Sequence, residues 1–198
     1  ASNYAELINN YGGVPLLTKC FGLQDDFSVE RCTYKEAVDF IVSELDAAAE
    51  VLPETVPADE FGRVTKGAAL SLKSQQLLYA ASKLHDPSTE PSGDLYDYDV
   101  ATKWQDASDA AKAVMDLGLY SMVQVDNARE YQEMFLTNHS GLIFARPYHS
   151  QYYPHTNMDL LHSPNGYHGW SGNCPLHNFV QDFQMEDGLS IEESPLYD

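Results

Sequence analysis

The sequence predicts an all-α fold of antiparallel helix pairs, with long irregular loops and at most one short strand or hairpin. Three long segments place apolar residues at helical spacing and are bounded by residues typical of helix termini. One short apolar run, Leu-Ile-Phe-Ala at 142–145, is typical of a strand. With 198 residues, 43% of them hydrophobic, the chain is long enough to bury a sizeable core as a single domain spanning 1–198.

The first two predicted helices span 2–11 and 33–52. The first has apolar residues at positions 4, 7, 8 and 11 and ends at two glycines, which readily adopt positive φ. The second begins with Thr33 and Glu36, a capping-box pattern in which each side chain satisfies the backbone amide of the other residue. Its apolar stripe runs to Leu52, and Pro53 ends it.

Two more long helices, 65–85 and 100–117, and a short one, 127–136, complete the predicted scaffold. Alanines at 68, 69, 80 and 81 allow a neighbouring helix to approach closely, and Trp104 with Ala107 begins the fourth helix. These features resemble tetratricopeptide repeats, so we predict tetratricopeptide-like packing without a strict period. Residues 146–198 are predicted to be loop-rich, with one or two helical turns at 178–183.

The charge of the chain restricts its ligands. Thirty acidic and eleven basic residues give a net charge of −19, which disfavours nucleic acid and anionic lipid and favours a neutral or cationic ligand. The same charge also keeps a protein soluble without any specific role. Three cysteines, Cys20, Cys32 and Cys174, form neither a CxxC pair nor an even set. The sequence does not decide whether two of them form a disulfide.

The segment from Tyr148 to Asn173 is rich in aromatic residues and histidines and is broken by glycine and proline. Aromatic rings on a loop are suited to stacking against sugar rings, because they offer an apolar face and a polar rim. The alternative is that these rings simply pack the loop onto the domain. The segment is therefore a candidate binding site.

The sequence offers two possible metal sites and no catalytic motif. The histidines at 149, 155, 162 and 168 are too far apart in sequence for a local chelate, although loop folding could gather them around zinc. Calcium is an alternative at Asp94, Asp97 and Asp99, without the glycine and glutamate of an EF-hand. No P-loop, dinucleotide fingerprint, zinc-protease or G-x-S-x-G motif is present, so we predict no catalytic residues and no enzyme.

Several motifs resemble those of SusD/RagB-like outer-membrane nutrient-binding lipoproteins. They are YGGVPL at 11–16, GRVTKGAA at 62–69, LLYAAS at 77–82, GNCPLHNFV at 172–180 and FQMEDG at 183–188. Leu176 and His177 depart from the usual Thr-Gln of the family. Relatives in this family are longer, so the resemblance implies an internal fragment that lacks the N-terminal lipid anchor and the C-terminal part.

The resemblance implies a surface glycan-binding protein, not an enzyme, anchored at the outer membrane by an N-terminal lipid. It would capture oligosaccharide or polysaccharide and deliver it to a SusC-like TonB-dependent transporter. Alternatives are a helical protein-interaction module without sugar binding, or a metal-dependent hydrolase. The loops at 148–173 and 85–98 would form the binding face. Within the first loop we predict four stacking rings and three amide partners, which are Tyr152, Tyr153, Tyr167, Trp170, Asn157, Asn165 and Asn173.

Overall fold

The computed structural model describes residues 1–147 and 158–197. The chain forms two compact units, Ala1–Pro147 and Tyr148–Asp198. Within the described ranges the structure is helical with no strand, which confirms the all-α prediction. That 1–198 forms a single domain stays a prediction.

Seven α-helices lie in the described residues. The first four, α1 to α4, are close to the predicted long helices, and α5 is close to the predicted short one. Their bounds are Ser2–Tyr11, Tyr34–Val51, Lys66–Ala81, Lys103–Asp116 and Ala128–Met134, followed by α6 at Met158–His162 and α7 at His177–Gln181. Three 3₁₀ turns lie at Ala58–Glu60, Lys83–His85 and Asn165–Tyr167. The third helix is therefore shorter than predicted, because the chain changes to a 3₁₀ turn after Ser82.

The predicted strand at 142–145 is wrong. This segment pairs with no other strand in the described part of the chain. Ile143 and Phe144 instead line an apolar cleft whose other walls include Leu45 of α2 and Leu72 of α3. An apolar run can pack against helices as well as join a sheet, so its composition alone does not specify a strand.

The start of α2 shows why the chain becomes helical at this point. The Glu36 amide donates to the Thr33 hydroxyl (3.1 Å), and the Thr33 amide donates to the Glu36 carboxylate (2.8 Å), which completes the predicted capping box. The Thr33 amide and the Thr33 hydroxyl both donate to the Glu36 carboxylate, and these two hydrogen bonds lower the pKa of Glu36. The helix then buries one face, formed by Tyr34, Ala37, Val38, Ile41, Leu45 and Ala49.

The hydrophobic core of the first unit lies where α3 packs between α2 and α4, with α1 against α2. Alanines occupy several of the contact positions, including Ala69 and Ala80 on α3 and Ala107 and Ala110 on α4. Small side chains allow the helix axes to lie close together, as the sequence predicts. The arrangement leaves clefts on either side of α3, one against α2 and α4 and one against α2 and residues 141–144.

Candidate functional site

The described part of the candidate loop, 158–173, is a compact loop held by its own backbone. It begins with α6 and returns alongside it, so that the Trp170 amide donates to the Leu160 carbonyl (2.6 Å) and the Asn173 amide to the Leu161 carbonyl (3.0 Å). Helix α6 was not predicted from the sequence. These hydrogen bonds fix the backbone on both sides of Trp170.

The return of this loop depends on a close approach at Gly169. A β-carbon there would lie 1.9 Å from the Ser163 carbonyl oxygen, so only glycine fits. His168 (φ 64°) and Ser171 (φ 49°) are in the left-handed region, which is uncommon for residues other than glycine. Such conformations persist only where neighbouring contacts hold them, and they cluster at functional sites.

The two described rings of the predicted site are largely in solvent. Tyr167 is 81% exposed and Trp170 is 63% exposed. These rings therefore do not pack the loop onto a core. Asn165, in the 3₁₀ turn, is exposed as well. The remaining predicted residues, Tyr152, Tyr153 and Asn157, lie outside the described residues.

The seventh predicted residue, Asn173, lies at a cleft of about 580 Å³ in the same unit. The cleft combines amides, a carboxylate, an imidazole and apolar surface. Its wall also includes His162, Leu176, Asn178, Phe179 and Asp182.

Two of these cleft residues, Asn178 and Phe179, lie on α7, and a third, Asp182, directly follows it; none of the three was predicted as a site residue. Asn178 and Asp182 are four residues apart, which places both on one face of the helix, and Phe179 is 56% exposed beside them. The sequence predicts a helical turn at 178–183, and the four-residue spacing of Asn178 and Asp182 is the signal that would have identified them as site residues.

The second candidate loop, 85–98, is anchored to the scaffold by buried residues at both ends, His85 and Tyr98, and its part in binding stays a prediction. His85 is buried and stacks on the Tyr34 ring at 4.1 Å between centroids, and its Nδ1 lies 2.8 Å from the Tyr96 carbonyl oxygen. Burial lowers the pKa of His85, which keeps the ring neutral. A buried histidine with these contacts is unavailable to a ligand in solution.

The metal alternatives receive no support from the described residues. In residues 1–147 and 158–197, no group of three or more histidine, cysteine, aspartate or glutamate side chains is arranged to hold a metal ion. The carboxylates of Asp94, Asp97 and Asp99 therefore do not converge, and Asp97 instead accepts a hydrogen bond from the Gly93 amide (2.9 Å). His149 and His155 lie outside the described residues.

The cysteines are free. Cys20 and Cys174 are exposed, and the Cys32 thiol donates to the Val14 carbonyl (3.0 Å), so no disulfide joins them. Within the described residues, no helix combines the length and the apolar character that crossing a bilayer would need.

The motif at 183–188 forms a turn. The Gly188 amide donates to the Met185 carbonyl (2.8 Å), and Gly188 has a φ of 79°. The Ser194 hydroxyl and the Leu189 amide donate to the Asp187 carboxylate and lower its pKa. Asp187 therefore organises this turn.

Comparisons with known proteins give consistent results. Residues 1–78 match a SusD-like family model described as starch-binding and associating with the outer membrane. This range contains YGGVPL and GRVTKGAA. No curated protein matches the chain.

Solved structures match over nearly the whole chain. A SusD-like protein from Bacteroides fragilis NCTC 9343 is 29% identical, with a TM-score of 0.72 over 94% of this chain and 34% of its own. A second protein from the same organism, described as a SusD-like carbohydrate binding protein, is 22% identical, with a TM-score of 0.76 over all of this chain and 34% of its own. At that identity the second match supports the fold alone. This chain spans about a third of the length of either structure.

Proposed function

We propose that this SusD/RagB-like chain is part of a glycan-binding protein of the outer membrane. The family resemblance implies carbohydrate binding without catalysis, so we propose no enzymatic activity for the chain. The matched family is described as starch-binding. The family description therefore favours a sugar as the ligand. The loop at 158–173 is the surface where we propose that the sugar binds.

The observation that carries the proposal is the exposure of Trp170 and Tyr167 on a loop whose backbone is fixed. A ligand that covers these exposed rings gains free energy, because burying a large apolar side chain gains about 1.5–3 kcal/mol. A ring on a fixed backbone also loses little conformational freedom when a ligand binds. A sugar presents apolar C–H faces that stack on such rings.

Polar groups in the same unit supply the specificity that stacking lacks. Asn173 and Asn178 both line the 580 Å³ cleft, and each amide offers two donors and an acceptor to sugar hydroxyls. Asp182 adds a carboxylate acceptor. We place the glycan on the Tyr167 and Trp170 rings with its hydroxyls toward these groups.

The charge of the chain agrees with a neutral glycan. A net charge of −19 repels anionic ligands at long range but leaves an uncharged oligosaccharide unaffected. We further propose that the protein is anchored by a lipid, is exposed at the cell surface and delivers the glycan to a SusC-like TonB-dependent transporter. These three features rest on the family resemblance. Co-purification of the transporter with the tagged parent protein tests the first of these.

The binding test uses a glycan array to identify a ligand and then affinity electrophoresis with the loop variants. We expect Trp170→Ala and Tyr167→Ala each to weaken retention about tenfold, since an aromatic contact of this kind is worth about 1.4 kcal/mol. Matched controls are Trp104→Ala and Tyr131→Ala, which remove rings that are 56% and 54% exposed in the first unit. The controls should retain the glycan as the unaltered chain does.

Two outcomes would contradict the proposal. Equal retention of the glycan by the loop variants and the controls would show that Trp170 and Tyr167 do not stack against the sugar. A protein partner that loses binding in the loop variants, with no glycan bound by the unaltered chain, would support the helical interaction module instead.

A further inference from the structure

The second unit contains two pairs of residues that are prone to the same backbone reaction. Asn165–Gly166 is the one Asn-Gly pair in the sequence, and Asp187–Gly188 is the one Asp-Gly pair. In such pairs the backbone nitrogen of the glycine can attack the side-chain carbonyl carbon of the residue before it, because glycine has no β-carbon to hinder the approach. The two pairs differ in how the structure holds these reacting groups.

The Asp187–Gly188 pair is held at both reacting groups. The Ser194 hydroxyl (2.7 Å) and the Leu189 amide (3.1 Å) donate to the Asp187 carboxylate. The Gly188 amide, whose nitrogen would have to attack, donates to the Met185 carbonyl (2.8 Å). Attack would break these hydrogen bonds, so the fold protects this pair.

The Asn165–Gly166 pair has no such restraint. Both residues are exposed. Among the described residues, neither the Asn165 side-chain amide nor the Gly166 backbone amide has a hydrogen-bond partner. A β-carbon on Gly166 would meet nothing within 4 Å, so there is space for the peptide group to rotate. The Asn165 side chain and the Gly166 nitrogen are therefore free to come together.

We propose that Asn165 is a site of spontaneous deamidation, which converts it to aspartate and isoaspartate. The Gly166 nitrogen forms a bond to the side-chain carbonyl carbon of Asn165, the bond from that carbon to the side-chain nitrogen breaks, and ammonia leaves with the proton that the Gly166 nitrogen gave up. Water, the only co-reactant, then opens the cyclic imide. Opening at the side-chain carbonyl gives aspartate, and opening at the backbone carbonyl gives isoaspartate. Asparagine is among the residues that proteins lose chemically in this way.

The modification lies within the candidate binding loop. The Tyr167 amide donates to the Pro164 carbonyl (2.9 Å) across Asn165 and Gly166. Isoaspartate inserts the β-carbon of residue 165 into the backbone, which lengthens this turn by one atom and displaces Tyr167 from its hydrogen bond. Because Tyr167 is a proposed stacking ring, this consequence rests on the proposed function. We expect the aged chain to retain the glycan less well than the fresh chain.

The test is to age the full chain in mildly alkaline buffer and to analyse its chymotryptic peptides by mass spectrometry, which detects the replacement of an amide by an acid. Chromatography separates the isoaspartyl peptide from the aspartyl one. Gly166→Ala should slow the conversion of Asn165 about tenfold, which corresponds to about 1.4 kcal/mol in the barrier. The internal control is Asn127, which is also exposed but precedes an alanine and accepts a hydrogen bond from the Glu130 amide (3.0 Å).

Unfolding separates the effect of the structure from that of the sequence. In guanidinium chloride, Asp187 should begin to isomerise because its hydrogen bonds are lost, whereas Asn165 should convert about as fast as it does in the folded chain. If Asn165 stays intact in the folded chain while it converts in the unfolded one, the proposal is overturned. Conversion of Asn127 in the folded chain as fast as that of Asn165 would overturn it too.

Glycan retention is measured separately on the fresh and the aged chain, with aged Gly166→Ala as the matched control. Equal retention by the fresh chain and by a chain whose Asn165 has been converted would overturn the consequence for binding. A fresh chain that binds no glycan would contradict the proposed function, and the deamidation of Asn165 would still be decided by the mass spectra.

Discussion

At the scale of single residues, Gly12 and Gly13 determine the path of the chain after α1. Gly12 has a φ of 70° and a ψ of −149°, a conformation that is essentially restricted to glycine. A β-carbon on Gly12 would lie 2.1 Å from the Leu95 carbonyl oxygen, and one on Gly13 would lie 2.0 Å from that of Cys32. The two glycines of YGGVPL therefore let two distant backbone segments pass close to the end of α1.

We expect Gly12→Ala to lower the free energy of unfolding by about 3 kcal/mol or more, because strained φ and overpacking each typically cost about 1–3 kcal/mol. Gly22→Ala is the control, since a β-carbon there meets nothing within 4 Å. Urea denaturation followed by circular dichroism measures both. Equal stability of the two variants would show that this close approach is not required.

The residues of the candidate site illustrate what a sequence leaves open at this scale. The pattern of aromatic residues identified Tyr167 and Trp170 as rings on a loop, and both are exposed. Asn178 was missed because it joins Asn173 at the cleft only when α7 forms and folds beside the loop. Such a pairing between residues on different elements has no local sequence signal.

At the scale of elements, buried aromatic contacts connect α2, α3 and the 85–98 connection. The His85 ring stacks on Tyr34 of α2 and meets the edge of Tyr79 of α3 at 5.3 Å. Tyr34 also meets Tyr98 edge-on at 6.3 Å. These contacts hold the connection between α3 and α4 against the scaffold.

This connection makes stability depend on pH. Burial is the main reason that the pKa of His85 lies below its ordinary value of 6.5, and the nearby charge of Lys103 lowers it further. The Tyr96 carbonyl and the charge of Asp97 act in the opposite direction without restoring it. The unfolded chain therefore takes up a proton at a higher pH than the folded chain does.

We expect His85 to contribute its whole stabilisation above about pH 6.5, and the free energy of unfolding to fall as the pH drops toward the lower pKa of the folded state. For the one proton that His85 takes up, the slope is at most about 1.4 kcal/mol per pH unit. His85→Gln should remove this part of the slope, whereas His177→Gln, at an exposed position, should keep it. Urea denaturation at several pH values measures the slope. An unchanged slope in His85→Gln would show that another group titrates.

Elements differ in how well a sequence predicts them. The start of α2 was predicted because Thr33 and Glu36 are local signals, and the end of α1 because glycine is required there. The run at 142–145 was misread because Ile143 and Phe144 pack in a cleft against helices distant in sequence. Helix α6 is only five residues long, too short for a helical period to be recognised.

At the scale of the whole molecule, the hydrophobic cluster found among the described residues, 1–147 and 158–197, lies in the first unit. Every buried residue of the hydrophobic cluster lies between Ala5 and Ala110. The described residues of the second unit include exposed large apolar side chains such as Phe179 and Phe183. We therefore expect the global stability of the chain to be determined mainly by the first unit.

The net charge of −19 opposes this compact state. Excess like charge destabilises a folded chain by self-repulsion, and salt screens it. The eight ion pairs among the described residues act in the opposite direction, but most are exposed, and such pairs are typically worth at most about 1 kcal/mol each. With 30 acidic residues against 11 basic ones, repulsion should outweigh the pairs.

We therefore expect the chain to become more stable as salt is added at neutral pH. Raising NaCl from about 0.01 M to about 0.15 M shortens the screening length from about 30 Å to about 8 Å, and a gain of about 1 kcal/mol would raise the Tm by about 2–4 °C. Thermal unfolding followed at the helical circular dichroism band measures the shift, and KCl should act as NaCl does, because screening depends on ionic strength. A Tm that stays constant or falls would mean that attractive pairs dominate the electrostatics of the fold.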